Sequence, residues 1–256
     1  MKKFFLFASV ILIFFVTAEP SFAQATKGST TLPFPKIDLS VGTAQNGEDV
    51  STTLQILLLM TILSLAPSIV IMTTAYLRII IVFHFLKTAL GTQQMPPAQI
   101  LAGIALFITF FIMSPTWNKV NDIALKPLMD NKMSVTEAYD KGIEPIREFM
   151  FKNVRDEDLE LFLGLSKLDK PANRNEVSTL VLVPAFVLSE LRAGFIIGFF
   201  MFVPFVMVDM IVSSILMSMG MMMMPPMMIS LPFKILLFIL VDGWNLIIGS
   251  LVRSFS

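Results

Sequence analysis

The chain has 256 residues and no formal net charge, with 55% hydrophobic and only 15% charged residues and a mean hydropathy of +0.77. That balance is far more apolar than a soluble domain carries and reads as an integral membrane protein. Without a long basic run neither nucleic acid nor an anionic lipid surface is an expected partner, and without cysteine there is no disulfide, thiol catalysis or cysteine-ligated metal.

The N-terminus, MKKFFLFASVILIFFVTAEPSFAQA, sets Lys2 and Lys3 ahead of an apolar run from Phe4 to Val16 and then a small-x-small pattern ending at Ala23. The run is shorter than the roughly 20 residues a spanning helix needs, so residues 1–23 read as a secretory signal peptide rather than an uncleaved anchor. Residues 24–53, rich in Thr, Ser, Gly and Pro, form an extracytoplasmic lead-in without hydrophobic periodicity. An apolar segment follows from Leu54 to about Leu77, ending at Tyr76 and Arg78, an aromatic and a cation suited to a membrane boundary. Arg78, His84 and Lys87 make the next stretch positive, which places it in the cytoplasm. A second apolar stretch from Ile100 stops near Pro115 and Trp117, completing a first hairpin over residues 54–117.

Residues 118–178 differ sharply, holding ten Lys or Arg and twelve Asp or Glu, more than half of the charges in the chain. Spacings such as Leu159/Phe162/Leu163 among acidic residues predict short amphipathic helices in a soluble, periplasmic insertion. From Thr179 to Phe233 charge nearly disappears again, over a length that suits two helices with a turn at Pro225-Pro226, because tandem prolines remove two N–H donors and push the preceding residue out of helix. Residues 179–256 form the second hairpin. The fold class is all-α: kinked, membrane-type helical hairpins with a small helical periplasmic insertion.

Glu190, Arg192, Asp209, Lys234, Asp242 and Arg253 sit in apolar surroundings. An ionisable group at membrane depth costs at least about 2.5 kcal/mol, so each should face protein, water or an opposite charge. A hairpin folded about residues 221 and 222 sets Asp209 opposite Lys234 and Glu190 opposite Arg253. At about 1.5 Å per residue the first pair lies roughly 18 Å below the tip. At that tip stands MSMGMMMMPPMM, residues 217–228. Gly194 and Gly198 make a GxxxG spacing that permits close helix packing. His84, the sole histidine, reads as a polar interfacial residue rather than a metal ligand or proton relay. No P-loop, GxGxxG, GxSxG or HExxH motif is present, so no enzyme, cofactor or metal is expected.

Four strings carry a specific likeness: LRIIIVFHFLKTALGTQQMPPAQILAGIALFITFFIM, PAFVLSELRAGFIIGF, VPFVMVDMIVSSILMSMGMMMMPP and LPFKILLFILVDGW. Over residues 50–256 the chain resembles the FliP/SctR family of type III secretion export gates. Ala98, Gly194 and Met224 depart from that family's pattern, where Asn, Ala and a shorter methionine run are expected. The resemblance implies a non-enzymatic subunit of the flagellar export apparatus in the bacterial inner membrane, lifted in part toward the periplasm. It also implies a pentamer that joins FliQ- and FliR-type partners in a helical oligomer and passes unfolded flagellar proteins. Met221, Met222, Met223 and Met224 would then form a methionine gasket in the pore, on a turn made by Gly220, Pro225 and Pro226. The signal peptide favours the flagellar over the injectisome branch. Two other readings stand beside this one: an ion-coupled transporter or channel subunit relaying through Asp209, Asp242 and Lys234, and a scaffold that seeds assembly of other envelope proteins.

Overall fold

A computed structural model of the protein describes residues 47–92, 95–166, 171, 173–221 and 225–255. The signal peptide, most of the lead-in, and Met222, Met223 and Met224 lie outside the described residues. The chain divides into two compact units at Ser51 and Thr52. Of the first, residues 47–51 are described and are helical; the second, from Thr52 onward, holds both hydrophobic cores.

The fold is all-α, with no strand among the described residues. Helix α1 (Gly47–Met72) begins ahead of the expected Leu54, since extending a helix adds one hydrogen bond for each residue fixed. It stops short of Leu77 and bends by 69° into α2 (Tyr76–Leu90). At the break Thr73 donates both its N–H and its hydroxyl to the Ile69 carbonyl, and such local side-chain bonding competes with helix continuation. Helix α3 (Ala98–Val120) runs through Pro115 instead of ending there. A proline removes one N–H but leaves the rest of the ladder, and a π-helical turn (Asn121–Leu125) then leads into the one-turn α4 (Lys126–Met129).

The insertion continues as α5 (Val135–Asn153) and α6 (Asp156–Ser166). Ser134 opens α5 with a capping box, its hydroxyl accepting from the Glu137 N–H while Glu137 accepts from the Ser134 N–H. These bonds hold the Glu137 carboxyl below the usual carboxylate range. Helix α7 (Thr179–Ser218) spans 40 residues without a break. At about 1.5 Å per residue it is about 60 Å long, twice the roughly 30 Å of a bilayer's hydrocarbon core, so a perpendicular α7 cannot lie wholly within lipid. Helix α8 (Pro226–Leu240) bends by 62° into α9 (Gly243–Arg253).

Helix α2 is central because Ile79, Val82, Phe83, Leu86 and Leu90 recur at helical spacing and are all buried. With Leu101 and Ala105 of α3, Phe205 of α7, Phe238 of α8 and Leu251 of α9 they form one core. A second core joins Met150 and Leu159 of the insertion to Val181, Leu182 and Phe186 at the start of α7. Phe149 packs against both. Two helical stretches, Ala98–Met129 and Thr179–Ser218, are long and apolar enough to cross a membrane, or up to four if each bent pair is one span. Phe107, Phe111, Phe199 and Phe200 face outward on α3 and α7, and apolar surface of that kind requires lipid or neighbouring subunits.

Candidate functional site

The hairpin of α7 and α8 carries the methionine-rich tip. Helix α7 ends in a Schellman motif: the Met221 N–H donates to the Leu216 carbonyl at 3.0 Å and the Gly220 N–H to Met217 at 3.0 Å. The motif needs a left-handed residue after the cap, and Gly220 supplies it with φ 77°. On the return, Pro225 stands at the N-cap and Pro226 at the first helical position, where a missing N–H costs nothing. Glycine therefore closes one arm and proline opens the other. Met217, Met219, Met221, Met227 and Met228 around the turn are all exposed.

Below the tip the arms are pinned by three side chains. Lys234 donates its ammonium to Asp209 Oδ2 at 2.6 Å, and Ser230 donates its hydroxyl to Oδ1 at 2.6 Å. Ser230 and Lys234 are one turn apart, so one face of α8 engages both oxygens of a carboxylate on α7. Ser230 and Lys234 are buried. The ammonium also lies beside the C-terminus of α2: a methyl group built on Gly91, whose φ is 70°, would come within 3.8 Å of Nζ. The carbonyl end of a helix favours a cation there.

The second charge pair expected from the hairpin register does not form. Glu190, fully buried, takes a two-pronged ion pair from Arg78 of α2 instead. Arg78 also donates to the carbonyl and hydroxyl of Ser254 at 2.8 and 2.9 Å, and its guanidinium lies 3.7 Å from the centre of the Phe255 ring. A straight hairpin would have brought Arg253 to Glu190, but the chain turns at Asp242, which has φ 49°. Arg253 is exposed and donates to the Gly249 carbonyl of its own helix. Asp242 accepts from Asn245 at 3.2 Å and has no cation against it among the described residues. Arg192 faces Asp158 of α6 at 3.7 Å. Asp158, buried, accepts from Ser189 at 2.8 Å.

Comparison with known families settles what kind of chain builds this hairpin. Residues 59–251 match the model of the FliP family. The chain belongs to the FliP family. It is 55% identical over 217 residues to the flagellar biosynthetic protein FliP of Bacillus subtilis, covering 85% of this chain and 98% of that one. It is 46% identical to the flagellar biosynthetic protein FliP of Borreliella burgdorferi over 261 aligned residues and the full length of both. It is 46% identical to that of Treponema pallidum over 91% of this chain and 86% of the relative.

In this FliP-family chain the SELR string has a physical reading. Ser189 and Arg192 both reach Asp158 of the insertion while Glu190 reaches Arg78 of α2, which in turn holds Ser254, so one turn of α7 locks the insertion, α2 and the C-terminal residues together. Gly194 and Gly198 find their close partner within the same chain: a Cβ on Gly194 would stand 3.0 Å from Ile81, and one on Gly198 2.5 Å from the Phe85 ring. His84 is exposed beside a groove lined by Ile80, Phe85, Phe195 and Phe202. Among the described residues no three His, Asp or Glu side chains converge as metal ligands. Sequence patterns alone do not single out Arg78, Ser230 and Asp158 as partners in these contacts. Arg78 stands inside an apolar run, the same signal that singled out Glu190, and Ser230 lies one turn before Lys234.

Proposed function

We propose that this chain is the core channel subunit of the flagellar type III protein export gate in the bacterial inner membrane. Flagellar biosynthesis and the export apparatus are its setting as a FliP-family member, and its long apolar helices suit a membrane location. Several copies, a pentamer, assemble with FliQ- and FliR-type partners around a path for unfolded flagellar proteins, with the charged insertion of residues 118–178 on the periplasmic side. Met221, Met222, Met223 and Met224 from each copy meet at the narrowest point as a methionine gasket.

The observation that carries this reading is the hairpin: a tip of exposed thioethers, held up by a glycine closure and by the Asp209, Ser230 and Lys234 pin. A gate for chains of arbitrary sequence must exclude ions when idle and reshape around cargo when open, and unbranched, polarizable methionine suits both demands. The test is inner-membrane ion leak and flagellar substrate secretion in cells whose Met221 to Met224 are alanine, all partners present. Leak with assembly intact supports the seal; neither leak nor altered secretion overturns it. Ion flux through the purified chain alone would favour the ion-coupled transporter reading instead.

A further inference from the structure

We propose that the methionines around the hairpin tip are an oxidation site, at which a two-electron oxidant of the hypochlorite class turns the apolar seal into a polar, leaking one. The inference rests on the gate reading above. Met217, Met219, Met221, Met227 and Met228 are exposed by 64%, 62%, 43%, 61% and 73%, whereas Met113 and Met150 in the protein interior are exposed by 0% and 1%. Thioether oxidation follows accessibility, so the tip should react far ahead of the interior. The chain has 19 methionines and no cysteine. No thiol of its own competes for the oxidant, and sulfur oxidation within it falls on methionine alone.

The chemistry balances without any further reactant. The thioether sulfur attacks the oxygen of hypochlorite, an S–O bond forms as the O–Cl bond breaks, sulfur loses two electrons and chloride leaves with them. The product is a sulfoxide, a strong hydrogen-bond acceptor where an apolar sulfur had been. A constriction that excludes water by being apolar holds water once such dipoles line it. The five residues lie within twelve positions on one turn, so every copy of the chain brings the same cluster to the same place. Methionine sulfoxide is reducible by two stereospecific reductases, which makes the change reversible.

The experiment uses the complete export-gate complex in phospholipid vesicles loaded with a cation-sensitive dye and exposed to graded hypochlorite, with sulfoxide occupancy read at each methionine by peptide mass. Met129, exposed by 79% on the insertion, is the accessible reference. The expected result is that the tip methionines convert ahead of Met113 and Met150. Ion leak should rise several-fold in step with tip occupancy and fall again when both methionine sulfoxide reductases are added. A chain with all eight methionines of residues 217–228 replaced by leucine should show no hypochlorite-dependent rise, whatever its resting leak, while Met129→Leu should respond as the parent does. Tip methionines that stay unoxidised while Met129 converts, or that convert without leak, would overturn the proposal. So would an equal rise in the leucine chain. Failure of the Met221 to Met224 alanine chain to leak without oxidant would instead count against the gate itself.

Discussion

Arg78 and Glu190 lie 112 residues apart in sequence and meet in an ion pair closed to solvent, with Glu190 at 0% and Arg78 at 5% exposure. Both ends of the guanidinium are used, one on the carboxylate and one on Ser254, and its face lies on Phe255. Removing one partner strands a buried charge at a cost of about 3–5 kcal/mol, whereas replacing both by apolar residues of similar volume costs less. Arg78→Met and Glu190→Leu should each lower the unfolding temperature and yield of the detergent-solubilised complex, and the double variant should recover part of the loss. Arg78→Lys should not rescue, because an ammonium lacks the planar fork and the stacking face.

The pin below the tip makes a different prediction. Asp209→Asn and Lys234→Met should each reduce assembly and export, and exchanging the two residues should restore some of both. A swap with no recovery would argue against direct pairing. Ser230→Ala, which removes the neutral donor on Oδ1 of a carboxylate whose Oδ2 keeps its ionic partner, should cost about 1–2 kcal/mol and leave export detectable.

Helix α2 can approach α7 only where Gly194 and Gly198 present no side chain. Gly198→Ala drives a methyl group into the Phe85 ring at 2.5 Å, an overpacking worth about 1–3 kcal/mol. Phe85→Ala in the same chain should recover part of that stability. Gly194→Ala meets Ile81 at 3.0 Å, a shift of a few tenths of an ångström, and should be the milder of the two in the same thermal assay.

Gly220 isolates the backbone contribution to the tip, because its φ is 77° and, among the described residues beyond its chain neighbours, no atom lies within 4 Å of where a Cβ would stand. Gly220→Ala should therefore cost only the left-handed backbone penalty, about 1–2 kcal/mol. Hydrogen exchange at the Met221 amide, bonded to Leu216, should accelerate by about 5–30-fold. Gly220→Asn should fall between the two.

How far the sequence specified this arrangement depends on the range of the physics involved. Local signals are legible: a hydrophobic run punctuated by Pro225-Pro226 implies a hairpin, and its register places Asp209 against Lys234. The same register misplaced Glu190, because it assumes straight arms and α8 turns into α9 at Asp242. Arg78 reads as a boundary cation from composition alone; that it is buried follows from the packing of α2 between α7 and the C-terminal residues, which no local pattern encodes. The end of α1 at Met72 turns on two threonine hydrogen bonds, too slight a signal inside a long apolar run. Helix α3 continues through Pro115 because the surrounding helix outweighs one lost bond.

The most direct test of the central claim exploits the absence of cysteine. With Met221→Cys as the only thiol in the chain, mild oxidation of the assembled complex should link copies through residue 221, since a disulfide forms only when two Cβ atoms come within about 4.5 Å. The account predicts covalent dimers of the chain, with export blocked in proportion and restored by reduction. A complex that assembles and exports but yields no such dimer, or that yields it with export unaffected, would contradict a gate in which the methionine tips of several copies meet.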